Sequence, residues 1–410
     1  MLWRWTIGAL SAVLLAGSAV APAAASCSEI ILGSILSLTG PDAGNGIHAK
    51  RGLAHAASIL SKAGGIQMRG KCYDFRIITY DDESDPTRGA ELARRLIDKD
   101  AVRLIVGPTS SKVFAQVSRI ANAAKMPLIQ PFPVGPSALN SSRPHTFTLV
   151  PPSPSEFVDL FKSTARIAVN TGRTAKQLRT VLVHAAAPYY RSLAQTAELQ
   201  AARNGMTIMT DEIRTDDPST INAAASAIRN THADLLMILA PTRATRKVLD
   251  QTLAANVPLP MTMLLSCETI ELAKHYGAAA DNILCGSHRV KSLEHDATGF
   301  GDAAAFIDTF REEFVSYEKR EIPREATQAA VALFVIADAF KRAGVVDPGA
   351  VRDALSDTDL DTFHGRVRFD KHGRNEVRSM ILRQYREGTY YVVAPAGGSS
   401  SNLKWPRTGL

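Results

Sequence analysis

Thr109, Ser110 and Ser111 are consecutive hydroxyl side chains at a point where a strand pattern changes into a helix pattern. Serine and threonine at such a point commonly cap the helix, because their oxygens accept hydrogen bonds from backbone N–H groups of its first turn. The same N–H groups, at the positive end of the helix dipole, also bind carboxylates and other anions. The sequence therefore indicates either a helix cap or an anion-binding site at Ser110 and Ser111.

The flanking residues form the elements that would hold these hydroxyls in place. Arg103–Val106 is an apolar run that ends at a Gly-Pro pair, and Met126–Gln130 is a second run that ends in a proline-rich stretch. Between them, apolar side chains recur at helical spacing from Val113 to Ala124. This order of strand, helix and strand predicts a βαβ unit of a parallel sheet.

The same alternation of strands and helices runs through the chain in two series. The proline-rich segment Pro144–Pro154 separates the series, and we expect it to cross between two lobes. The chain is too long for a single core, so the prediction is an α/β protein of two doubly wound, Rossmann-like lobes with a ligand site between them. Three further segments are expected to be irregular: the glycine-rich loop Thr39–Gly46, the loop Ala185–Tyr190 and the Gly/Ser-rich tail Ala396–Leu410.

Residues 1–26 have the pattern of a signal peptide. Arg4 precedes the apolar stretch Ile7–Val20, which is short for a bilayer span, and small residues follow at Ala23–Ala25. One alternative is an uncleaved membrane anchor. Another is a lipid anchor at Cys27, although the residues before it lack the leucine or valine usual in a lipobox. We expect an exported, periplasmic protein.

Charge and motif content exclude several classes of partner. The formal net charge is +7, and the basic residues are spread along the chain without the clusters and interleaved aromatics of a nucleic-acid-binding surface. Gly40, Gly44 and Gly46 match neither a phosphate loop nor a dinucleotide-binding fingerprint. No cysteine spacing resembles a zinc site. The sequence therefore predicts no nucleic acid, no cofactor and no metal.

The four cysteines all follow the predicted signal peptide, and an even number in an oxidising compartment favours disulfides. Cys27 and Cys72 each stand just before a predicted strand, and the starts of neighbouring parallel strands are close enough to bridge. Cys267 and Cys285 lie at two later strands, so the same argument applies to them. We predict the pairs Cys27–Cys72 and Cys267–Cys285.

Several short motifs occur in the order and spacing of one protein family. They are SLTGP after the first strand, YDDESDP after the second, VGPTSS and PLIQP around the hydroxyl cluster, and F-H-G-x-V-x-F-D-x-x-G near the C-terminus. Over nearly the whole mature chain, the sequence resembles the periplasmic solute-binding proteins of branched-chain amino acid ABC transporters, of the leucine/isoleucine/valine-binding type. The resemblance implies the type I periplasmic binding fold, in which two lobes joined by three hinge strands close on one small molecule. It also implies an ABC permease in the inner membrane as the partner.

The three crossings implied by the resemblance set the expected domain boundaries. These are a signal peptide at 1–26, a first lobe at 27–150 and 287–375, a second lobe at 151–286 and 376–395, and a flexible tail at 396–410.

The resemblance also assigns ligand contacts to positions of this chain. The family serine whose hydroxyl and neighbouring amide hold the ligand carboxylate falls on Ser111, beside Ser110. The acidic residue that pairs with the ligand ammonium falls on Glu268. The other positions are Asn45 for an aromatic residue of the first loop, Phe132 and Val134 for an alanine and a threonine, and Tyr189 for a tyrosine of the second lobe.

Compared with the ligand-binding residues of the family, this set retains a serine for the ligand carboxylate and an acidic residue for the ligand ammonium. It lacks a hydroxyl at Val134 and has a bulkier side chain at Phe132. The expected ligand is therefore an amino acid or an aromatic or other organic acid. Structural roles remain open for four of the positions: Tyr189 could cover its helix, Glu268 could lie near a helix N-terminus, and Phe132 and Val134 could belong to the core. The family's usual first-lobe disulfide would join positions 84 and 110, which are both serine here, so the resemblance favours Cys27–Cys72 as its replacement.

Three functions compete at this stage. Export, two lobes and the lack of a catalytic motif favour a monomeric binding protein without catalytic residues. A secreted α/β enzyme is the second hypothesis, because catalytic triads assemble in space and the absence of GxSxG or HExxH is weak evidence. The third is a binding protein that signals to a membrane receptor, since uptake and sensing use the same closure of two lobes.

Overall fold

The computed structural model describes residues 27–134, 143–150, 157–254, 259–265, 267, 272–281, 283–287, 303–317, 322–363, 365–376, 381–394 and 401–405. The predicted signal peptide and Glu268 lie outside these residues. Within them, no helix combines the length and the apolar character needed to cross a bilayer.

The first sheet has six strands in the order β2-β3-β1-β4-β5-β6. Its strands are β1 (Ser28–Leu36), β2 (Ile66–Met68), β3 (Lys71–Asp81), β4 (Ile105–Val106), β5 (Leu128–Gln130) and β6 (Thr146–Thr148). Its helices are α1 (Ala43–Lys62), α2 (Pro86–Asp98) and α3 (Ser111–Ala123). All neighbouring strands pair in parallel except β2, which pairs antiparallel with β3. Their carboxyl ends therefore meet at one edge of the sheet.

The second series of elements builds a second sheet. Its strands begin with β7 (Arg179–Ala185), β8 (Thr207–Ile213), β9 (Leu235–Leu239), β10 (Met261–Leu264) and β11 (Leu284–Ser287). The helices of this series are α4 (Val158–Asn170), α5 (Pro188–Arg203), α6 (Pro218–Thr231), α7 (Thr242–Leu253) and α8 (Leu272–Tyr276). These strands pair in parallel with their neighbours.

The C-terminal part of the chain contributes to both lobes. It contains α9 (Ala303–Glu313), α10 (Arg324–Ala343), α11 (Pro348–Ser356), β12 (Asp359–Thr362), β13 (Gly365–Arg368), β14 (Ile381–Arg386) and β15 (Thr389–Ala394). Strands β14 and β15 extend the second sheet, whose order is β15-β14-β11-β10-β9-β7-β8, while β12 and β13 form a separate two-stranded sheet. Helix α10, in contrast, is buried in the apolar core that also contains β1 and α1.

The contact between α1 and α10 is close because both helices present small groups there. A Cβ atom at Gly52 would lie 1.9 Å from the backbone oxygen of Ala326, so only glycine allows this approach. The start of α10 is thereby placed against the first lobe, although the chain reaches it after the second sheet.

Two segments that lead from one sheet towards the other lie side by side. Thr148 pairs in parallel with Arg374, and the backbone N–H of Asn375 donates to the Thr148 oxygen at 3.0 Å. The side-chain amide of Asn375 donates to the Leu149 oxygen at 3.1 Å. The segment Pro144–Pro154 was expected to be irregular, but its described part contains β6, because Thr146–Thr148 completes the edge of the first sheet beside β5.

Other boundaries also differ from the sequence-based expectations. Helix α1 begins at Ala43, so Asn45 lies in its first turn rather than in a loop, and α5 begins at Pro188, so Tyr189 and Tyr190 are helical as well. Of the expected flexible tail, 401–405 is held against β14, where the Lys404 backbone and the Gln384 side chain exchange two hydrogen bonds of 2.5 and 2.9 Å.

Both predicted disulfides are present. The register of β1 and β3 sets Ser28 opposite Tyr73, which brings the preceding residues Cys27 and Cys72 together with a Cα–Cα distance of 4.8 Å. Cys267 and Cys285 are joined with a Cα–Cα distance of 5.6 Å. The first disulfide lies at the amino end of its sheet and the second follows the carboxyl end of β10.

Candidate functional site

The carboxyl edge of the first sheet is held together by two aspartates at the end of β3. Asp82 accepts hydrogen bonds from the Ser37 hydroxyl at 2.7 Å and from the Ser84 N–H at 2.8 Å. Asp81 accepts from the backbone N–H groups of Leu38 and Glu83 at 2.9 and 2.8 Å. These contacts tie the loop after β1 to the end of β3, so both aspartates have structural roles.

Ser84 and Thr109 extend this network to the neighbouring loops. The Ser84 hydroxyl donates to the Thr39 oxygen at 3.0 Å and accepts from the Asp42 N–H at 3.2 Å. The Thr109 hydroxyl accepts from the Ser37 N–H at 3.0 Å. Of the three hydroxyls at the start of α3, Thr109 is therefore committed to bridging β1 and β4.

Ser110 is the N-cap of α3 by its backbone, which is extended, and its carbonyl accepts the N–H of Phe114 at 2.9 Å. Its side chain makes no capping hydrogen bond and is 7 % exposed. The first N–H groups of α3 are thus not satisfied by the Ser110 hydroxyl, which is the arrangement an anion site requires. Ligand binding by Ser110 and Ser111 remains a prediction.

Phe132 and Val134, which follow β5, are each 2 % exposed. Phe132 packs in the core that contains α1 and α10, and Val134 packs in the core between α2 and α3. Their side chains therefore have the core role that the sequence left open, and a ligand contact through them stays a prediction.

Asn45 and Tyr189 lie at helix starts on different lobes. Asn45 is exposed in the first turn of α1, next to Gly46, where a Cβ would lie 1.9 Å from the Ser37 oxygen. Tyr189 begins α5 in the second lobe and packs edge-to-face on Tyr190 with ring centroids 5.1 Å apart. Glu268, the predicted ammonium partner, lies outside the described residues, although Cys267 beside it is fixed by a disulfide.

Charged groups of the first lobe lie close enough to the two tyrosines of the second to interact with them electrostatically. Burial raises the pKa of Tyr190 to about 12; the charge of Arg324 opposes this increase, and the carboxylates of Glu325 and Asp42 add to it. Arg324 and Glu325 form the first turn of α10, and Asp42 precedes α1. The starts of α1, α5 and α10 are therefore close enough for their side chains to interact electrostatically.

Arg324 and Glu325 form a mostly buried ion pair at this meeting point. The Arg324 Nε donates to the Glu325 Oε1 at 2.9 Å, and the side chains are 21 % and 12 % exposed. Burial by itself lowers the pKa of Arg324, but the Glu325 carboxylate and the hydroxyls of Tyr189 and Tyr190 outweigh this effect and raise it. Arg324 is therefore a fixed positive charge between the lobes.

The same electrostatic environment reaches α1. Burial lowers the pKa of His48, while the carboxylate of Glu325 opposes this decrease. His48 is consequently neutral at pH 7, and Glu325 and Asp42 are the acidic groups at these helix starts.

Gln328 lies one turn after Arg324 on α10 and is 2 % exposed. It lines a small cavity of about 10 Å³, together with Pro131, Val150, Val367 and Asn375 among others. Pro131 belongs to the loop that carries Phe132, and Val150 and Asn375 belong to the paired crossing segments. The cavity therefore lies where the first-lobe loop, the crossings and α10 meet.

Sequence reasoning missed Arg324 and Gln328. Their local signal was weak: Pro323 and Glu325 mark a helix start, and a glutamine among alanines reads as an ordinary polar position. Within the described residues, no cluster of histidine, cysteine or acidic side chains could hold a metal ion.

Comparisons with known proteins agree with the resemblance seen in the motifs. A family model described as periplasmic binding protein matches residues 29–389. The chain is 23 % identical over 406 residues to Leu/Ile/Val-binding protein homolog 7 of Brucella melitensis, covering 97 % of this chain and 98 % of that protein. It is 23 % identical over 390 residues to Leu/Ile/Val-binding protein BraC3 of Rhizobium johnstonii, covering 93 % and 98 %.

Two solved structures have a similar fold at low sequence identity. The branched-chain amino acid transporter substrate binding protein LivJ from Streptococcus pneumoniae, in complex with isoleucine, has a TM-score of 0.72 at 20 % identity, covering 90 % of this chain and 100 % of that one. A solute binding protein of an ABC transporter from R. palustris, in complex with benzoate, has a TM-score of 0.70 at 19 % identity, covering 93 % and 98 %. These likenesses establish a type I periplasmic binding fold.

Proposed function

The chain belongs to the periplasmic binding protein family, and we propose that it captures a small amino acid or organic acid between its lobes and delivers it to an ABC permease in the inner membrane. The observation that supports this most directly is the polar cluster between the lobes, where Tyr189 and Tyr190 of α5 meet Arg324 and Glu325 of α10. A ligand that contacts both sides of such a cluster favours the closed arrangement over the open one.

The ligand is proposed to be held at the carboxyl edges of both sheets. Ser110 and Ser111 at the start of α3 would hold an anionic group, because the N–H groups of the first helical turn and the helix dipole favour negative charge there. Tyr189 would cover the ligand from the second lobe. Glu268 would pair with an ammonium group, if the ligand has one.

Relatives with the same fold differ in ligand chemistry, since LivJ was solved with isoleucine and the R. palustris protein with benzoate. Both an amino acid and an aromatic acid are therefore tested. The proposal places the mature protein in the periplasm as a monomer and includes no catalytic step, so turnover of a bound ligand would contradict it.

A thermal-shift screen of the mature protein tests the proposal. The panel contains branched-chain and aromatic amino acids, their keto acids and simple aromatic carboxylates. A ligand at about 100 times its Kd stabilises the folded protein by about 2.7 kcal/mol, which is readily measured as a rise in Tm. Loss of the shift in Glu268→Gln for amino acids, but not for keto acids, would assign Glu268 to the ammonium group. A panel without any shift would count against an amino acid or organic acid as the ligand.

A further inference from the structure

The N-terminal part of α10 presents two polar side chains on one face. Arg324 and Gln328 are four residues apart, and side chains at this spacing lie next to each other on a helix. The following residues of the same face, such as Val331, are apolar and buried. The polar pair therefore stands at the end of α10 that is directed at the second-lobe tyrosines, and its position calls for a role other than core packing.

The hydrogen bond to Glu325 orients the guanidinium of Arg324 and leaves its two terminal nitrogens available to bind a ligand. The single side-chain hydrogen bond of Arg324 within the described part of the chain joins its Nε to Glu325. Its two terminal nitrogens make no hydrogen bond to described residues, and about a fifth of the side chain is exposed. The terminal nitrogens of a guanidinium match the two oxygens of a carboxylate and bind them through parallel charge-assisted hydrogen bonds.

Gln328 supplies an independent indication of a bound group. It is 2 % exposed, and neither its Oε1 nor its Nε2 has a hydrogen-bond partner among the described residues. Leaving a buried amide without hydrogen-bond partners is destabilising, so native proteins rarely do so. The cavity beside it is about 10 Å³, which is roughly the space for one water or one small polar group.

We propose that Arg324 and Gln328 form a carboxylate subsite of the ligand pocket. The terminal nitrogens of Arg324 bind the carboxylate, the Gln328 Nε2 donates to the same group, and Glu325 holds the guanidinium in place. The inference rests on the proposed function and narrows it: the ligand is a small carboxylate, and its affinity depends on the acid group meeting α10 in addition to the start of α3.

A competing explanation is that Arg324 only stabilises lobe closure through the tyrosines of α5. Such a role would affect every ligand equally, whereas a carboxylate partner distinguishes an acid from its amide. The distinction can be measured without knowing the natural ligand, by using matched acid and amide probes.

The experiment measures Kd by isothermal titration calorimetry for two matched probe pairs, leucine with leucinamide and benzoate with benzamide. The wild-type protein is expected to bind at least one of the acids about 100-fold more tightly than its amide, because charge-assisted hydrogen bonds are about twice as strong as neutral ones. In Arg324→Gln that preference is expected to fall by about 10-fold or more, because only the start of α3 then holds the acid group, while the affinity for the amide is unchanged.

Two further variants refine the assignment. Arg324→Lys is expected to keep the charge but lose about 10-fold in affinity for the acid, because an ammonium group cannot form the paired contact. Gln328→Leu is expected to lower the affinity for the acid by about 10-fold, because one charge-assisted hydrogen bond is lost. Lys341→Gln, which removes a positive charge from the exposed last turn of the same helix, is the matched control and is expected to bind like the wild type.

The outcomes separate this inference from the proposed function. If the wild type binds an acid and Arg324→Gln binds it within 3-fold, or loses acid and amide equally, the subsite is overturned and the binding function stands. If the wild type binds none of the four probes, the carboxylate subsite and the proposed ligand class both fail.

Circular dichroism and the Tm without ligand check the folding of each variant. If Arg324→Gln does not fold, the wild-type acid preference and Gln328→Leu decide: equal binding of acid and amide, or an unchanged Gln328→Leu, overturns the subsite.

Discussion

The buried carboxylate of Asp82 in the first lobe accepts hydrogen bonds from a hydroxyl and a backbone N–H group, whereas the buried carboxylate of Asp234 in the second lobe pairs with arginines. Asp82 at the end of β3 is held by Ser37 and Ser84. Asp234, just before β9, accepts from the Arg173 guanidinium at 2.9 and 3.0 Å and from the Arg179 N–H at 2.8 Å. The two aspartates are equally buried, yet their neighbours differ in charge.

This difference shifts the pKa values of the two aspartates in opposite directions. Burial raises the pKa of Asp82, against the hydrogen bonds from Ser37 and Ser84. Burial would also raise the pKa of Asp234, but the hydrogen bonds from Arg173 and Arg179 outweigh it and lower the pKa to about 2. At neutral pH the ionised form of Asp234 therefore stabilises its lobe, while ionisation of Asp82 works against its own.

The location of Asp82 accounts for the presence of a buried carboxylate whose ionisation destabilises its lobe. It lies at the carboxyl edge of the first sheet, where the loops after β1, β3 and β4 meet and where the ligand is proposed to bind. Asp234 lies at the opposite, amino edge of its sheet, next to the start of β7 through Arg179. The Asp82 network positions loops, and the Asp234 network ties together the amino ends of β7 and β9.

Removal of the disulfides should have the largest effect and should differ between the lobes. The Cys27–Cys72 bridge spans 45 residues and Cys267–Cys285 spans 18. In the chain-entropy account, their loss costs about 4 and about 3 kcal/mol of unfolding free energy, respectively. Urea unfolding of Cys27→Ala/Cys72→Ala and of Cys267→Ala/Cys285→Ala measures both.

Comparing these two losses of stability is informative because loop length favours a larger loss for Cys27–Cys72, whereas burial favours a larger loss for Cys267–Cys285. Cys267 and Cys285 are 1 % and 0 % exposed, so their replacement also removes core contacts. A greater loss for the second pair than for the first would show that packing in the second lobe outweighs the entropy of the longer loop.

Asp234→Asn should have the next largest effect. The substitution removes the charge that Arg173 and Arg179 share, and hydrogen bonds to charged groups contribute about 1.5–3 kcal/mol. The second lobe is expected to lose about that much unfolding free energy at pH 7. Asp216→Asn, at an exposed position of the same lobe, is the matched control and should change stability little.

The pH dependence of this effect has a defined sign. Because the folded pKa of Asp234 is about 2 and lies below the unfolded value, its contribution is fully present above about pH 4 and is lost as the pH falls towards 2. Urea unfolding between pH 7 and pH 3 should therefore show wild type and Asp234→Asn converging. A constant difference across this range would contradict the account of Asp234.

The predicted strands and helices were largely correct where the apolar pattern was clear, as in the run Met126–Gln130, which contains β5 at Leu128–Gln130. The missed elements had short or unusual signals. Strand β2 pairs with β3 through a turn in which Arg69 and Gly70 both have positive φ, a geometry usually announced by Asn-Gly. Helix α11 did have a signal, because Asp347 caps it and Pro348 opens it, but its short length hid the pattern.

The site was less accessible to sequence reasoning than the fold. The sequence placed Ser110 and Ser111 at the start of α3, because they follow a strand whose end is recognisable, but it placed Tyr189 in a loop and not in the first turn of α5. Arg324 and Gln328 could not be found this way, because the groups that give them a role lie on α5 and on the crossing segments, far away in the chain. These groups come together only in the folded protein, after the chain has returned to the first lobe, so no local sequence pattern indicates them.

Asp82→Asn should have the smallest effect and the opposite pH dependence. Asparagine retains an oxygen that accepts from Ser37 and Ser84, so the expected change at pH 7 is within about 1 kcal/mol. Since the folded pKa of Asp82 is raised above the unfolded value, the wild type should gain stability relative to the variant as the pH falls through that raised pKa. The differences between wild type and variant should therefore change in opposite directions for Asp82 and Asp234 over one pH series. Parallel changes would contradict the opposite pKa shifts assigned to the two aspartates.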